Sequence, residues 1–429
     1  MRPLALLGGS PVLQKPLPAY NSMGQEELDA VTRVIKSGCL SGFYGSWGEQ
    51  FFGGSRVRAF EEAWCARFGV KHSVSVNSAT SGLFAAMGAI GVGPGDEVIL
   101  PPYTMSATAM APLVYGGIPV FVDIEPETFC LDPDAVRRAI TPRTRAIIAV
   151  NLFGHPARLS ELMSIAHRHN LILVEDNAQG PLAMEGERYA GTIGHIGIFS
   201  LNYHKHIHTG EGGMCVTSDE TLARRLQMIR NHAENIVEPL NFENIANMVG
   251  FNYRMTELSA AIGIEQLKKS EYHVGRRASV AELLAAGIRG LDGLTPPQVR
   301  PGCRHVYYTW CMRLDEEILG ITRERFSRAL AAEGFPHFVG YVRPLYLLPV
   351  FQNRIAFGSQ GYPFSLSSVR YDKGLCPVTE RMHERELVCF ETCMYDVDPA
   401  HGRLLVEAIR KVYENREELA RVSLASQGP

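Results

Sequence analysis

"SLNYHKHIHTGEGG" (residues 200–213) sets one lysine among three histidines, just ahead of a glycine cluster interrupted by a glutamate. It completes a series. The apolar run "IGIFSL" (196–201) leads into it, and similar short runs stand upstream: "HSVSVN" (72–77), "DEVILPP" (96–102), "PVFVDI" (119–124), "TRAIIAVNLFG" (144–154) and "LILVED" (171–176). Helical patterns alternate with them: "RVRAFEEAWCARFG" (56–69), the small-residue start "SATSGLFAAMGAIG" (78–91), "DPDAVRRAI" (132–140) and "RLSELMSIAHRHN" (158–170). Buried apolar strands alternating with helices predict an α/β fold with a largely parallel sheet flanked by helices.

In such a sheet, ligands sit where strands end at their carboxyl side, so the residues just after each strand carry the chemistry. Three places stand out. After "HSVSV", Asn77-Ser78-Ala79-Thr80-Ser81-Gly82 opens a helix with small residues and hydroxyls, which suits a phosphate or, equally, a plain cap. After "LILVE", Asp176 is placed to ligate a metal, orient a base, pair with a protonated ring nitrogen, or simply cap a turn, with Gln179 as its polar companion. After "IGIFS" comes Lys205. Read as a strand, the run puts His204, His206 and His208 on one face and Lys205 on the other. A His-x-His pair needs further ligands to hold a metal, and only Glu211 stands near, so no metal site is expected.

The chain has 429 residues, 46% hydrophobic and 20% charged, which suits a large domain plus a smaller one. The expected division is 17–270 for the larger and 271–429 for the smaller. Beyond 270 the rhythm changes, with a bridging helix in "EYHVGRRASVAELLAAGIRGL" (271–291), a strand in "HVYYTWCMRL" (305–314), and helices in "RERFSRALAAEG" (323–334) and "GRLLVEAIRKVYENREELARV" (402–422). That is an α+β pattern. The segment "CLSGFYGSWGEQFFGGSRV" (39–57) reads as a loop, and the tail "SQGP" (426–429) is expected to fray.

A net charge of −3, with basic residues scattered in pairs such as Arg224 and Arg225, argues against a nucleic-acid partner. No run of 18 apolar residues suggests a membrane span, and "MRPLALLGGSPV" lacks the features of a secretory leader. Nine cysteines without a Cys-x-x-Cys pair read as reduced thiols in a cytoplasmic protein, with neither a disulfide framework nor structural zinc.

A lysine, an upstream acid and a phosphate-friendly helix start are together what pyridoxal phosphate requires. The lysine forms the Schiff base, the acid keeps the pyridine nitrogen protonated, and the helix start holds the phosphate. The order "VNSATSGL", "PPYTMSATAMAPLVYGGIPVFVDI", "LILVEDNAQG", "FSLNYHKHIHTGEGG" and "GFNYRMTELSAAIGIEQLKK" resembles the sugar aminotransferases of the DegT/StrS family, fold-type-I pyridoxal phosphate enzymes, from about residue 17 onward.

That resemblance implies a fold-type-I mixed, mostly parallel sheet with a smaller C-terminal α+β domain. It implies that Lys205 is the Schiff-base lysine and proton shuttle, and Asp176 the partner of the pyridine nitrogen. Gln179 would lie near the ring oxygen, and Ala79, Thr80 and Ser200 would hold the phosphate. Asn252 would reach the cofactor phosphate of the neighbouring subunit, so the active site would form across a homodimer. Two positions depart from the family pattern: Ala79 replaces a glycine, and Met105 replaces an aromatic that stacks on the pyridine, a role Tyr103 would share.

The implied reaction is ping-pong transamination from glutamate or glutamine to a keto-sugar, first of all a nucleotide-linked one. The alternatives are a cyclitol ketone or aminohydroxybenzoate-type synthesis, which the opening "LALLGGSPV" resembles, a sugar dehydratase, and a regulator that binds the cofactor without turnover. Relatives of the dehydratase kind carry histidine in place of the lysine. Substrate contacts are expected among Trp47, His155, Arg230, His232 and Tyr341, with Tyr44, Phe51 and Phe52 in the same early loop as Trp47.

Overall fold

In the computed structural model, which describes residues 2–422, the apolar runs become strands of one sheet. They are β1 (His72–Val76), β2 (Glu97–Leu100), β3 (Ile118–Phe121), β4 (Thr144–Val150), β5 (Ile172–Asp176), β6 (Ile196–Ser200) and β7 (Gly213–Thr217). Their spatial order is β1-β7-β6-β5-β4-β2-β3. The pairs among β3, β2, β4, β5 and β6 are parallel, and β7 runs antiparallel to β1 and β6. The sheet is thus mixed and mostly parallel. Strand β7 was not anticipated from the sequence, because its five residues "GMCVT" hide behind the glycine cluster.

Helices cover both faces: α1 (Gln25–Ser37), α2 (Ser55–Phe68), α3 (Ala79–Ala89), α4 (Ala107–Val114), α5 (Pro133–Ala139), α6 (Leu159–Arg168) and α7 (Glu220–Arg230), then the 32-residue α8 (Glu257–Ile288). Strand alternation feeds the two faces in turn. Ile147, Leu173 and Phe199 pack with Phe60, Trp64 and Leu162 of α2 and α6. Their neighbours Ile148, Val174 and Ile198 pack on the opposite side with Leu83, Leu113 and Leu226 of α3, α4 and α7. A sheet fed from both faces explains why its strands read as continuous apolar runs.

A second, antiparallel sheet comprises β8 (Leu294–Thr295), β9 (Trp310–Leu314), β10 (Phe338–Val339) and β11 (Leu387–Phe390), in the order β8-β9-β11-β10. It packs with α9 (Arg323–Ala332), α10 (Pro399–Glu414) and the far half of α8, around Trp310, Phe326, Phe390 and Leu405. Leu4, Leu13 and Leu17 join this core, so the early residues pack with α10. The buried Glu333 carboxylate pins them there, accepting from the amides of Ala5 (2.8 Å) and Val12 (3.1 Å) and pairing with Lys411 (2.9 Å). Residues 305–309, read as part of a strand, are instead an irregular stretch leading to β9. The early loop contains a 3-10 turn, Glu49–Phe52, whose Phe51 is fully buried. The tail "SQGP" lies outside the described residues. Among those described, no helix is long and apolar enough to cross a membrane.

Candidate active site

The carboxyl ends of β1, β5 and β6 converge on a cavity of about 350 Å³, lined among others by Thr80, Met105, Asp176, Gln179, Lys205 and Tyr341. Each enters for a local reason. Strand β1 hands over to α3 through Ser78, whose side chain accepts from the Ser81 amide (3.0 Å). The amides of Ala79 and Thr80, in the first turn, have no acceptor within the helix and are open to an anion. Ser200, the last residue of β6, stands at the same place, its hydroxyl accepting from the Asn202 amide (3.3 Å).

Asp176 closes β5 with its carboxylate 5% exposed. One oxygen accepts from Thr108 Oγ1 (2.8 Å) and the other from the Ala178 amide (3.2 Å). Burial pushes its pKa up, while these two bonds and the charge of Lys205 pull it down. A carboxylate buried at the end of a strand, with donors to hold it and a cavity before it, suits a protonated ring nitrogen.

Lys205 lies in a tight turn, not a strand, its amide donating to the Asn202 carbonyl (2.9 Å). This corrects the two-face reading of the histidines, because no strand alternation exists there. His206 turns inward and is buried, His208 faces Ser22 Oγ (2.8 Å), and His204 stays at the cavity, held neutral near a pKa of about 4 by burial and by Lys205. Burial lowers the Lys205 pKa from 10.5 to about 8, against the opposing pull of Cys393, Asp176 and Glu391. Its Nζ stands 4.1 Å from the centre of the Tyr308 ring.

The glycine cluster has a steric cause. Gly210 adopts φ +82°, and a Cβ on Gly213 would lie 2.6 Å from the Ser78 carbonyl carbon and 2.7 Å from the Ala79 nitrogen. Strand β7 begins with its backbone pressed against the start of α3, which only glycine permits.

Gln179 is held at both ends, its Nε2 donating to Tyr341 Oη (2.9 Å) and its Oε1 accepting from the Phe153 amide (2.7 Å). Met105 is 61% exposed at the cavity edge. Tyr103, by contrast, is buried with its hydroxyl donating to the Gly340 carbonyl (2.9 Å), so it does not share the covering role expected of it.

Of the expected substrate contacts, only Tyr341 lines this cavity. Arg230 is fully buried, paired with Glu61 (2.7 Å) and bonded to the Ser75 carbonyl (3.1 Å), and serves as an internal tie between α7, α2 and β1. His155 is 1% exposed, its Nε2 accepting from the Arg300 amide (3.2 Å), and burial together with Arg300 holds its pKa at about 4. Trp47 packs on Phe51, Phe52 and the guanidinium of Arg224, fastening the loop down. His232 takes φ +55° and lies 3.4 Å from Glu234. Tyr44, 63% exposed, supplies its carbonyl to Asn231, and Asn252 is exposed outside this cavity, its Oδ1 accepting from Arg254 (2.8 Å).

Sequence reasoning missed Thr108 and Tyr308. Thr108, in the first turn of α4, stands four residues beyond Thr104 in "YTMSATAM", and the two hydroxyls lie 3.2 Å apart. Tyr308 gave no signal, because its segment read as a strand.

The model of the DegT/DnrJ/EryC1/StrS aminotransferase family matches residues 17–389. The chain belongs to that family. The L-glutamine:2-deoxy-scyllo-inosose aminotransferase of Streptomyces kanamyceticus is 36% identical, covering 97% of this chain and 98% of its own. GDP-perosamine synthase of Caulobacter vibrioides is 37% identical over 69% of this chain and 78% of its own. Among solved structures, S. venezuelae DesV in complex with a ketimine intermediate matches with a TM-score of 0.74 and 30% identity, covering 93% of this chain and 95% of that one. This member is therefore a pyridoxal phosphate-dependent aminotransferase of fold type I. Its cavity fits the cofactor: a buried lysine whose pKa burial lowers to about 8, a buried carboxylate and open helix-start amides surround one space.

Proposed function

We propose that this aminotransferase moves the amino group of L-glutamine to the ketone of a cyclitol, with a keto-sugar as the second reading. The observation that carries amino transfer is the meeting of Lys205, Asp176 and the α3 start in one cavity. Two things favour a cyclitol. The relative that spans the chain almost end to end is named for a cyclitol ketone and for L-glutamine. Lys205 is also the one cationic side chain lining the cavity among the described residues, which offers little to a nucleotide diphosphate. The perosamine synthase supports the second reading.

When bound, pyridoxal phosphate supplies an electron sink for the donor's Cα. The chain's own residues do the rest. The amides of Ala79 and Thr80 and the hydroxyl of Ser200 would hold the phosphate, while Asp176, steadied by Thr108, would keep the ring nitrogen charged. Gln179, fixed by Tyr341, would lie near the ring oxygen, and Met105 would cover the ring. Lys205 would anchor the cofactor, and its Nζ would serve as the base that moves the proton at the donor's Cα and, in the second half-reaction, at the aminated carbon of the acceptor. Asn252 would reach across to the partner's cofactor in a homodimer. The large unit spans 17–270 and the small one 271–429, with Lys205 on the former and Tyr308 on the latter.

The test is the visible spectrum of the holoenzyme. L-glutamine should convert the lysine-linked cofactor band to the aminated form, and 2-deoxy-scyllo-inosose should restore it. Failure of L-glutamine to change the band, or restoration by a nucleotide keto-sugar alone, would overturn the respective half of the proposal.

A further inference from the structure

Two of the three histidines around Lys205 do not line the cofactor cavity, and each is fastened to α8 instead. His206 is 1% exposed, and its Nδ1 lies 2.8 Å from Arg277 Nη1. A guanidinium only donates, so Nδ1 is the acceptor and the ring proton sits on Nε2. Burial and the charge of Arg277 keep the ring neutral, as that bond needs. Cys393 Sγ lies 3.7 Å from the same nitrogen. His208 Nε2 lies 2.8 Å from Ser22 Oγ, which gives its own proton to Gln266 Oε1 (2.8 Å) and therefore accepts from the histidine.

Gln266 and Arg277 stand about three turns apart on one face of α8. Around Arg277 the helix passes from one core to the other: Leu267 and Val274 belong to that of the large sheet, Val280 and Leu284 to that of the small one. The turn that carries Lys205 is thus tied to the one helix that both cores share. His206 Nε2 is buried and meets no partner among the described residues, so packing alone would favour an apolar side chain at this position. What the ring does that an apolar side chain cannot is hold Arg277.

We propose that His206 is a positioning residue: by accepting from Arg277 it fixes the turn on α8, and so holds Lys205 Nζ where the cofactor's aldehyde carbon can reach it. This role rests on the reading of Lys205 as the lysine that links the cofactor. The tether through His208 and Ser22 stays in place when His206 is changed, so the turn shifts rather than comes loose.

The test separates linkage from binding. Pyridoxal phosphate carries the aldehyde that Lys205 takes up, whereas pyridoxamine phosphate fills the same cavity with nothing to link. In equilibrium dialysis of the stripped protein, His206→Leu should raise the dissociation constant for pyridoxal phosphate roughly tenfold and leave that for pyridoxamine phosphate within about twofold of wild type. His206→Asn, whose amide oxygen can take the place of Nδ1, should bind both as wild type does. Should the unbonded arginine keep His206→Leu from folding, His206→Leu/Arg277→Met decides in its place, because removing both partners leaves no orphaned group. Equal weakening of both cofactors marks a purely structural role and overturns the proposal, as does an unchanged affinity for pyridoxal phosphate or a His206→Asn protein no better than His206→Leu. A lysine-linked band that persists in Lys205→Ala overturns instead the reading of Lys205 on which the proposal stands.

Discussion

Burial of Lys205 should make its amine reactive toward the cofactor at neutral pH, and the size of the effect follows from its pKa of about 8 in place of 10.5. At pH 7 about one molecule in eleven then carries the neutral amine, against about one in three thousand for an ordinary lysine, a gain of about 300-fold. Cofactor uptake by the stripped protein, followed by stopped-flow absorbance of the lysine-linked band, should therefore climb tenfold per pH step at low pH and bend near pH 8. The same burial acts on stability. Between pH 8 and 10.5 the unfolded chain holds a proton that the folded chain has released, so stability rises with pH across that window and the penalty is fully present below it. The whole span is worth about 3 kcal/mol, so stripped Lys205→Met should melt roughly 3–4 °C above stripped wild type at pH 7. A reconstitution rate still climbing through pH 9 without a bend, or a Lys205→Met protein no more stable than wild type, would refute the argument that burial controls this lysine.

Thr108→Val removes the 2.8 Å bond to Asp176, a charge-assisted bond worth about 1.5–3 kcal/mol, and should slow the single-turnover half-reaction with L-glutamine roughly 10- to 100-fold, with Thr108→Ser close to wild type. Gly213→Ala drives a methyl into the backbone at Ser78 and Ala79 and should weaken cofactor affinity, read by equilibrium dialysis, while Lys205 still forms its linkage. Arg230→Met leaves Glu61 without its partner and should cost about 3–5 kcal/mol in denaturant unfolding, yet leave the KM for the acceptor unchanged; a raised KM would restore the substrate role that its burial denies.

The central sheet was legible because strands buried on both faces carry their own signal, and Lys205 and Asp176 were legible because each directly follows such a strand. What escaped depends on contacts far apart in sequence. Arg230 looks like any helix-surface arginine until Glu61, 169 residues away, is seen beside it. The histidine run mimics a strand because spacing of two is the only clue a sequence offers, and the turn is set instead by distant partners such as Ser22 and Arg277. Tyr308 reaches Lys205 only through the packing of the two sheets.

The reversed strand β7 also dictates when the site can form. β1 pairs with no strand of the large sheet except β7, His72 lying opposite Thr217, so the edge that launches α3 stays unanchored until the ribosome has delivered residue 217. Closing so long a loop is slow. The anion-holding start of α3 is therefore among the last parts of the large sheet to assemble during synthesis, after β2, β3, β4 and β5 can already have paired with one another. The phosphate-holding end of the cofactor site thus waits on closure of the large sheet.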